Sequence, residues 1–154
     1  MPRKWCPTIA RIATVAIAVI IANSASATVR ITDDYGGVIG DYLARFKAVR
    51  DSGERVIFDG LCLSACTLVL GIVPQDHICV TSRARLGFHA AWRSATGSLK
   101  ATGSLQVSAD DGTQLLMGIY PEHIRNWIAR RGGLTSRIIY LGGRELTAMY
   151  RPCA

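Results

Sequence analysis

The chain has 154 residues, with 18 Lys and Arg against 11 Asp and Glu and a formal charge of +7. That length has room for one domain, and less once the N-terminus is discounted. Arg3, Lys4 and Arg11 supply three of the positive charges, leaving +4 dispersed without a long basic run, so nucleic-acid binding is not expected.

Residues 1–27 read as a secretory signal. The basic start leads into an apolar run, Ile12–Ala22, interrupted only by Thr14, and Ala25-Ser26-Ala27 offers a small-x-small cleavage pattern. A membrane span needs about 20 apolar residues, and this run is shorter. Cleavage after Ala27 and release into the periplasm or the medium is therefore expected. An uncleaved signal acting as a membrane anchor, or touching the membrane transiently, is the alternative. Cys6 precedes the apolar run and cannot be a lipid-modified cysteine at a cleavage site.

The mature domain is expected over residues 28–154, with four cysteines: Cys62, Cys66, Cys79 and Cys153. An even number in an exported chain favours disulfides, and three pairings are open. A zinc site built from Cys62, Cys66, His77 and Cys79 is not expected, because the spacing matches no familiar knuckle.

Strand and helix signals alternate along this domain. Thr28–Thr32 alternates as a short strand, and residues 33–37 (Asp-Asp-Tyr-Gly-Gly) form a loop. From Val38 to about Arg50, apolar residues recur at helical spacing until Ser52-Gly53 stops them. Arg55–Asp59 is a strand that Gly60 is expected to turn. Ser64 to Val73 reads as a buried helix stopped by Pro74. Strands follow at Ile78–Thr81 and Leu86–His89, then a loop or weak hairpin over residues 90–107. Helices are expected at Asp111–Ile119 and from Pro121 to Gly132-Gly133, then a strand at Arg137–Leu141 and a helix at Arg144–Tyr150. This order predicts an α/β domain with parallel strands joined by right-handed crossovers.

Sites in such domains gather where strands end and helices begin. Three features fall there. Gly36-Gly37 precedes a helix and leaves backbone N–H groups uncovered, although as a dipeptide it is an ordinary turn. Ser64 lies in Gly60-Leu61-Cys62-Leu63-Ser64-Ala65-Cys66-Thr67, where a strand turns into an apolar helix; taken alone it could be a helix cap. His89 closes the strand Leu86-Gly87-Phe88-His89, while His77 and His123 lack comparable settings. Trp92 and Trp127 are expected as packing residues, although Trp92 follows His89 closely enough to line a substrate groove. Arg83 and Arg85 are expected to alternate on one strand face.

Together these features resemble the proteolytic subunit of Clp protease, within the wider crotonase-like fold. The Gly37–Ser64 interval nearly matches that family's and the Ser64–His89 interval matches it, while the form Ser64-Ala65-Cys66-Thr67 is more similar to small periplasmic Clp-like proteins. The resemblance spans about Val29–Tyr150, with its specific motifs inside Gly36–His89. It implies a serine hydrolase acting on a peptide or protein substrate, with no cofactor and no metal. Ser64 would be the nucleophile, His89 the general base, and the Gly37 and Ala65 N–H groups the oxyanion hole.

Two departures stand out. The acid expected in residues 136–141 is missing. Asp110 and Asp111 fall too early and are expected as helix N-terminal caps, while Asp59, near the Ser64 turn, stays open as a substitute; loss of the acid would leave a dyad or a backbone carbonyl holding the imidazole. The family's opening strands and first helix are also missing, so a homo-oligomer, if formed, need not be the enclosed ring. A catalytically inactive envelope protein that binds a peptide or protein partner is the alternative. An acyl-CoA enzyme is disfavoured by export. A Ser–Lys hydrolase is disfavoured by the positions of Lys47 and Lys100, neither with a route to Ser64.

Overall fold

The computed structural model describes residues 27–92 and 109–154. The signal reading, Lys100 and most of the expected loop at 90–107 lie outside the described residues. Among those described, no helix is long and apolar enough to cross a membrane.

The domain is α/β, built on a mixed, mostly parallel sheet of five strands. The strands are β1 (Thr28–Asp34), β2 (Arg55–Leu63), β3 (Ile78–Val80), β4 (Arg85–Phe88) and β5 (Ile139–Gly142). β2 is central. It pairs in parallel with β1 along one side, and on the other with β3 at Val56–Phe58 and then β4 at Leu61–Leu63. Its Val56, Phe58 and Cys62 are fully buried, as expected of a strand with neighbours on both sides and covered faces.

Two expectations need correction here. Gly60 does not turn the chain: β2 runs straight through it. An added Cβ would lie 1.7 Å from the Thr32 carbonyl oxygen, where the β1–β2 register shifts between Ile31 and Asp33. The glycine admits a bulged neighbour, and its sequence signal is the same as that of a turn. Secondly, β5 pairs antiparallel to β4, with Phe88 opposite Ile139 and Arg85 opposite Gly142. Among the described residues two helices lie between these strands, and the chain re-enters the sheet at the end it left.

The helices are α1 (Ile39–Ser52), α2 (Val69–Ile72), α3 (Ala109–Ile119), α4 (Glu122–Arg130) and α5 (Gly143–Thr147). Gly53 ends α1 in the left-handed conformation, its N–H bonded to carbonyls of the last turn. α4 buries Ile124, Trp127 and Ile128 at i, i+3, i+4 spacing. These side chains join Phe46 and Val49 of α1 and Phe88 of β4 in one core.

Ser64–Val73 is not one helix. A 3₁₀ turn, Ser64–Leu68, leads into the short α2. Arg83 lies in the turn before β4 and not on a strand with Arg85; it pairs with Asp59, while Arg85 stacks over Tyr140.

All four cysteines among the described residues pair, Cys62 with Cys66 and Cys79 with Cys153, consistent with an oxidising compartment. The second bridge ties the C-terminal segment to β3, where Pro152 also makes a β-bridge with Val80.

Candidate functional site

Ser64 follows the last residue of β2, and His89 follows the last residue of β4. The ladder pairs Leu63 with Gly87, so both residues stand at the C-terminal edge of adjacent parallel strands.

The backbone at Ser64 is unusual. Its φ is +55°, and it is the one non-glycine residue with positive φ among those described. Such a conformation costs about 1–3 kcal/mol and needs its surroundings to hold it. A serine on a sharp strand-to-helix turn has its hydroxyl thrust outward, the geometry of a nucleophile elbow. The hydroxyl makes no hydrogen bond among the described residues, and the cap position of the following turn belongs to Leu63. Ser64 is therefore not a helix cap.

Three contacts hold the turn. The Cys62–Cys66 bridge closes around it, with both cysteines fully buried. Gly36, at φ +79°, packs against it: an added Cβ would lie 2.6 Å from Leu63 O, 2.7 Å from Ser64 Cβ and 3.0 Å from Ala65 N. Thr67 Oγ1 donates to Ser64 O at 2.7 Å and lies 2.6 Å from the Tyr120 hydroxyl.

Asp34 at the end of β1 shapes the glycine loop. Its carboxylate accepts the Gly36 N–H at 2.9 Å, the Tyr42 hydroxyl, and Arg45 Nη1 at 3.1 Å. Burial, reinforced by that carboxylate, pushes the Tyr42 phenol up to about 12. The Gly37 N–H has no acceptor among the described residues. Ala65 is in the first turn after the strand, where N–H groups have no carbonyl of their own turn to meet. The loop thus meets the turn at Gly36, the residue before Gly37.

His89 Nδ1 lies 2.7 Å from the Ala90 carbonyl oxygen. A carbonyl only accepts, so Nδ1 carries the proton and Nε2 of the neutral ring is left as the acceptor. The stretch Ser136–Leu141 does run beside His89: Phe88 pairs with Ile139, and the Ala90 N–H donates to Thr135 O. It contains no acid.

Asp59 is no substitute. It stands five residues before Ser64 on β2, about 16 Å along the strand. Its carboxylate is engaged by Arg83, Thr81 and Arg30, and Arg83 first, then Thr81, holds it well below the usual carboxylate range. Asp110 and Asp111 lie in the first turn of α3. The pairing of Cys62, Cys66 and Cys79 removes the thiolates a zinc site would need.

Sequence reasoning missed Asp34, Thr67 and Tyr120. Asp34 two residues before Gly36 carries an Asx-turn signal that could have been read. Thr67 and Tyr120 are 53 residues apart, and no local pattern joins them.

Trp92 is exposed, as are Tyr35 and Val38 beside the glycines. Two surface concavities, of about 420 and 290 Å³, open elsewhere, around Arg55 and Arg151, and neither is lined by Ser64 or His89. Compared with known proteins, the sequence matches no family model and no curated protein.

Proposed function

We propose that the protein is an exported serine hydrolase, similar to the Clp-protease-like members of the crotonase-like fold, acting on peptides or other acyl substrates. The observation that carries this reading is the left-handed Ser64 on a braced strand-to-helix turn, one strand away from His89.

In this reading, Ser64 Oγ attacks the substrate carbonyl carbon while His89 Nε2 takes the hydroxyl proton. The Gly37 and Ala65 N–H groups receive the developing oxyanion. The tetrahedral intermediate collapses, the bond to the leaving group breaks, and His89 returns the proton to that group. Water then repeats the sequence on the acyl-enzyme, freeing the acid product and restoring Ser64. The Ala90 carbonyl takes over the tautomer-fixing part of a triad acid. Being neutral, it stabilises an imidazolium less than a carboxylate would, so a modest rate is expected. No cofactor enters this chemistry.

A second reading, a non-catalytic envelope protein that binds a peptide or protein partner, is favoured by one observation. Among the described residues Ser64 and His89 share no hydrogen bond, and His89 has no carboxylate partner. Catalytic hydrogen bonds are often long before substrate binds, which weakens that objection.

Hydrolysis of a panel of peptide p-nitrophenyl esters separates the two. The hydrolase reading expects turnover by wild type that falls by about 10³-fold or more in Ser64→Ala and in His89→Ala. Absence of turnover in wild type, or equal turnover in Ser64→Ala, would leave the binding reading.

A further inference from the structure

We propose that Thr67 and Tyr120 are positioning residues that hold Ser64 in its left-handed conformation, an inference that rests on the hydrolase reading and deepens it. Thr67 and Tyr120 are both buried, at 0% and 2% exposure. Thr67 Oγ1 lies 2.7 Å from Ser64 O and 2.6 Å from the Tyr120 hydroxyl.

The proton directions follow from the atoms present. The Ser64 carbonyl can only accept, so the single hydroxyl proton of Thr67 points to it. The Tyr120 proton must then point to Thr67 Oγ1. The result is a directed relay, Tyr120 O–H to Thr67 O–H to Ser64 C=O, reaching from the end of α3 to the turn. Burial pushes the Tyr120 phenol up to about 12, so it keeps its proton and its donor role at any working pH.

The relay acts on orientation. Rotation of the Ser64 peptide towards negative φ would swing its carbonyl away from Thr67 and leave the buried Thr67 hydroxyl proton without an acceptor. The Tyr120 ring is itself fixed against Phe88, the residue before His89. One side chain thereby braces the backbone on both sides of the candidate pair. Neither Thr67 nor Tyr120 contributes an atom to the reaction, so their loss should appear in kcat with KM preserved.

The test is the kcat of ester hydrolysis and the labelling rate by a fluorophosphonate, measured well below each variant's melting temperature. Thr67→Val should lose about tenfold in kcat and labelling rate with KM within about twofold, and Tyr120→Phe about threefold. Thr67→Ser, which restores the hydroxyl, should stay within about twofold of wild type. Should Thr67→Val not fold, the contrast between Tyr120→Phe and Thr67→Ser decides in the same way. Wild-type rates in folded Thr67→Val or in Tyr120→Phe would overturn the positioning role while leaving the hydrolase reading intact, as would a Thr67→Ser as slow as Thr67→Val. A wild-type protein that neither labels nor turns over would overturn both.

Discussion

Gly36 presses against Ser64 so closely that a methyl group added to it would lie 2.7 Å from the serine Cβ. The two residues come from different strand ends, and each has positive φ, +79° and +55°. The glycine loop and the serine turn are therefore built as one unit.

Gly36→Ala tests that unit. The methyl group meets backbone at 2.6 Å, from Leu63 O, and the left-handed φ adds strain. A loss of about 1–3 kcal/mol in unfolding free energy is expected. Labelling of Ser64 should slow as well, because the serine must move to make room. Denaturant unfolding and fluorophosphonate labelling measure the two effects, and a variant equal to wild type in both would contradict the close packing.

The two disulfides should separate stability from function. Cys79 and Cys153 are 74 residues apart and Cys62 and Cys66 only 4. Loop-closure entropy assigns the first bridge about 4 kcal/mol and the second about 2 kcal/mol. Cys79→Ala/Cys153→Ala should therefore lower stability more. Cys62→Ala/Cys66→Ala should lower ester hydrolysis more, since its bridge surrounds Ser64. Chemical denaturation and kcat on the two double variants check this, and the reverse ranking of activities would contradict it.

Much of this arrangement is legible in the sequence, and the parts that are not have physical reasons. The order of strands and helices follows from apolar periodicity and from Gly and Pro punctuation. The strand-to-helix position of Ser64 follows from the apolar segments on either side of it. The direction of β5 does not follow, because the two helices legible before it do not say at which end of the sheet the chain re-enters. Gly60 is misread because close backbone approach and a turn both select glycine. Backbone partners leave no trace in residue identity, so the hydrogen bond from His89 to the Ala90 carbonyl is visible only in three dimensions. The same holds for the Thr67–Tyr120 contact across 53 residues and for the choice among three disulfide pairings.

Asp59 gives a stability prediction with a definite sign. Its carboxyl is held well below the usual range by Arg83 first, then by Thr81, with Arg30 adding to it. A group depressed in the folded state stabilises fully above its unfolded pKa, about 3.9, and loses that contribution as pH falls towards the folded value. Wild type should therefore be more stable than Asp59→Asn by a constant margin above about pH 5, and the margin should close as pH falls below about 4. Thermal melts from pH 7 to pH 2.5 measure it. A margin that persists unchanged to the acid end would contradict an ionised, arginine-held Asp59.

The proposed hydrolase depends on the reactivity of one hydroxyl, that of Ser64. Treating the wild-type protein with a fluorophosphonate and locating the adduct by peptide mass spectrometry addresses it most directly. A single phosphonyl group on Ser64, absent from Ser64→Ala and strongly slowed in His89→Ala, is the expected result. An unmodified Ser64 after prolonged exposure, or an adduct on a different residue that survives in Ser64→Ala, would contradict it.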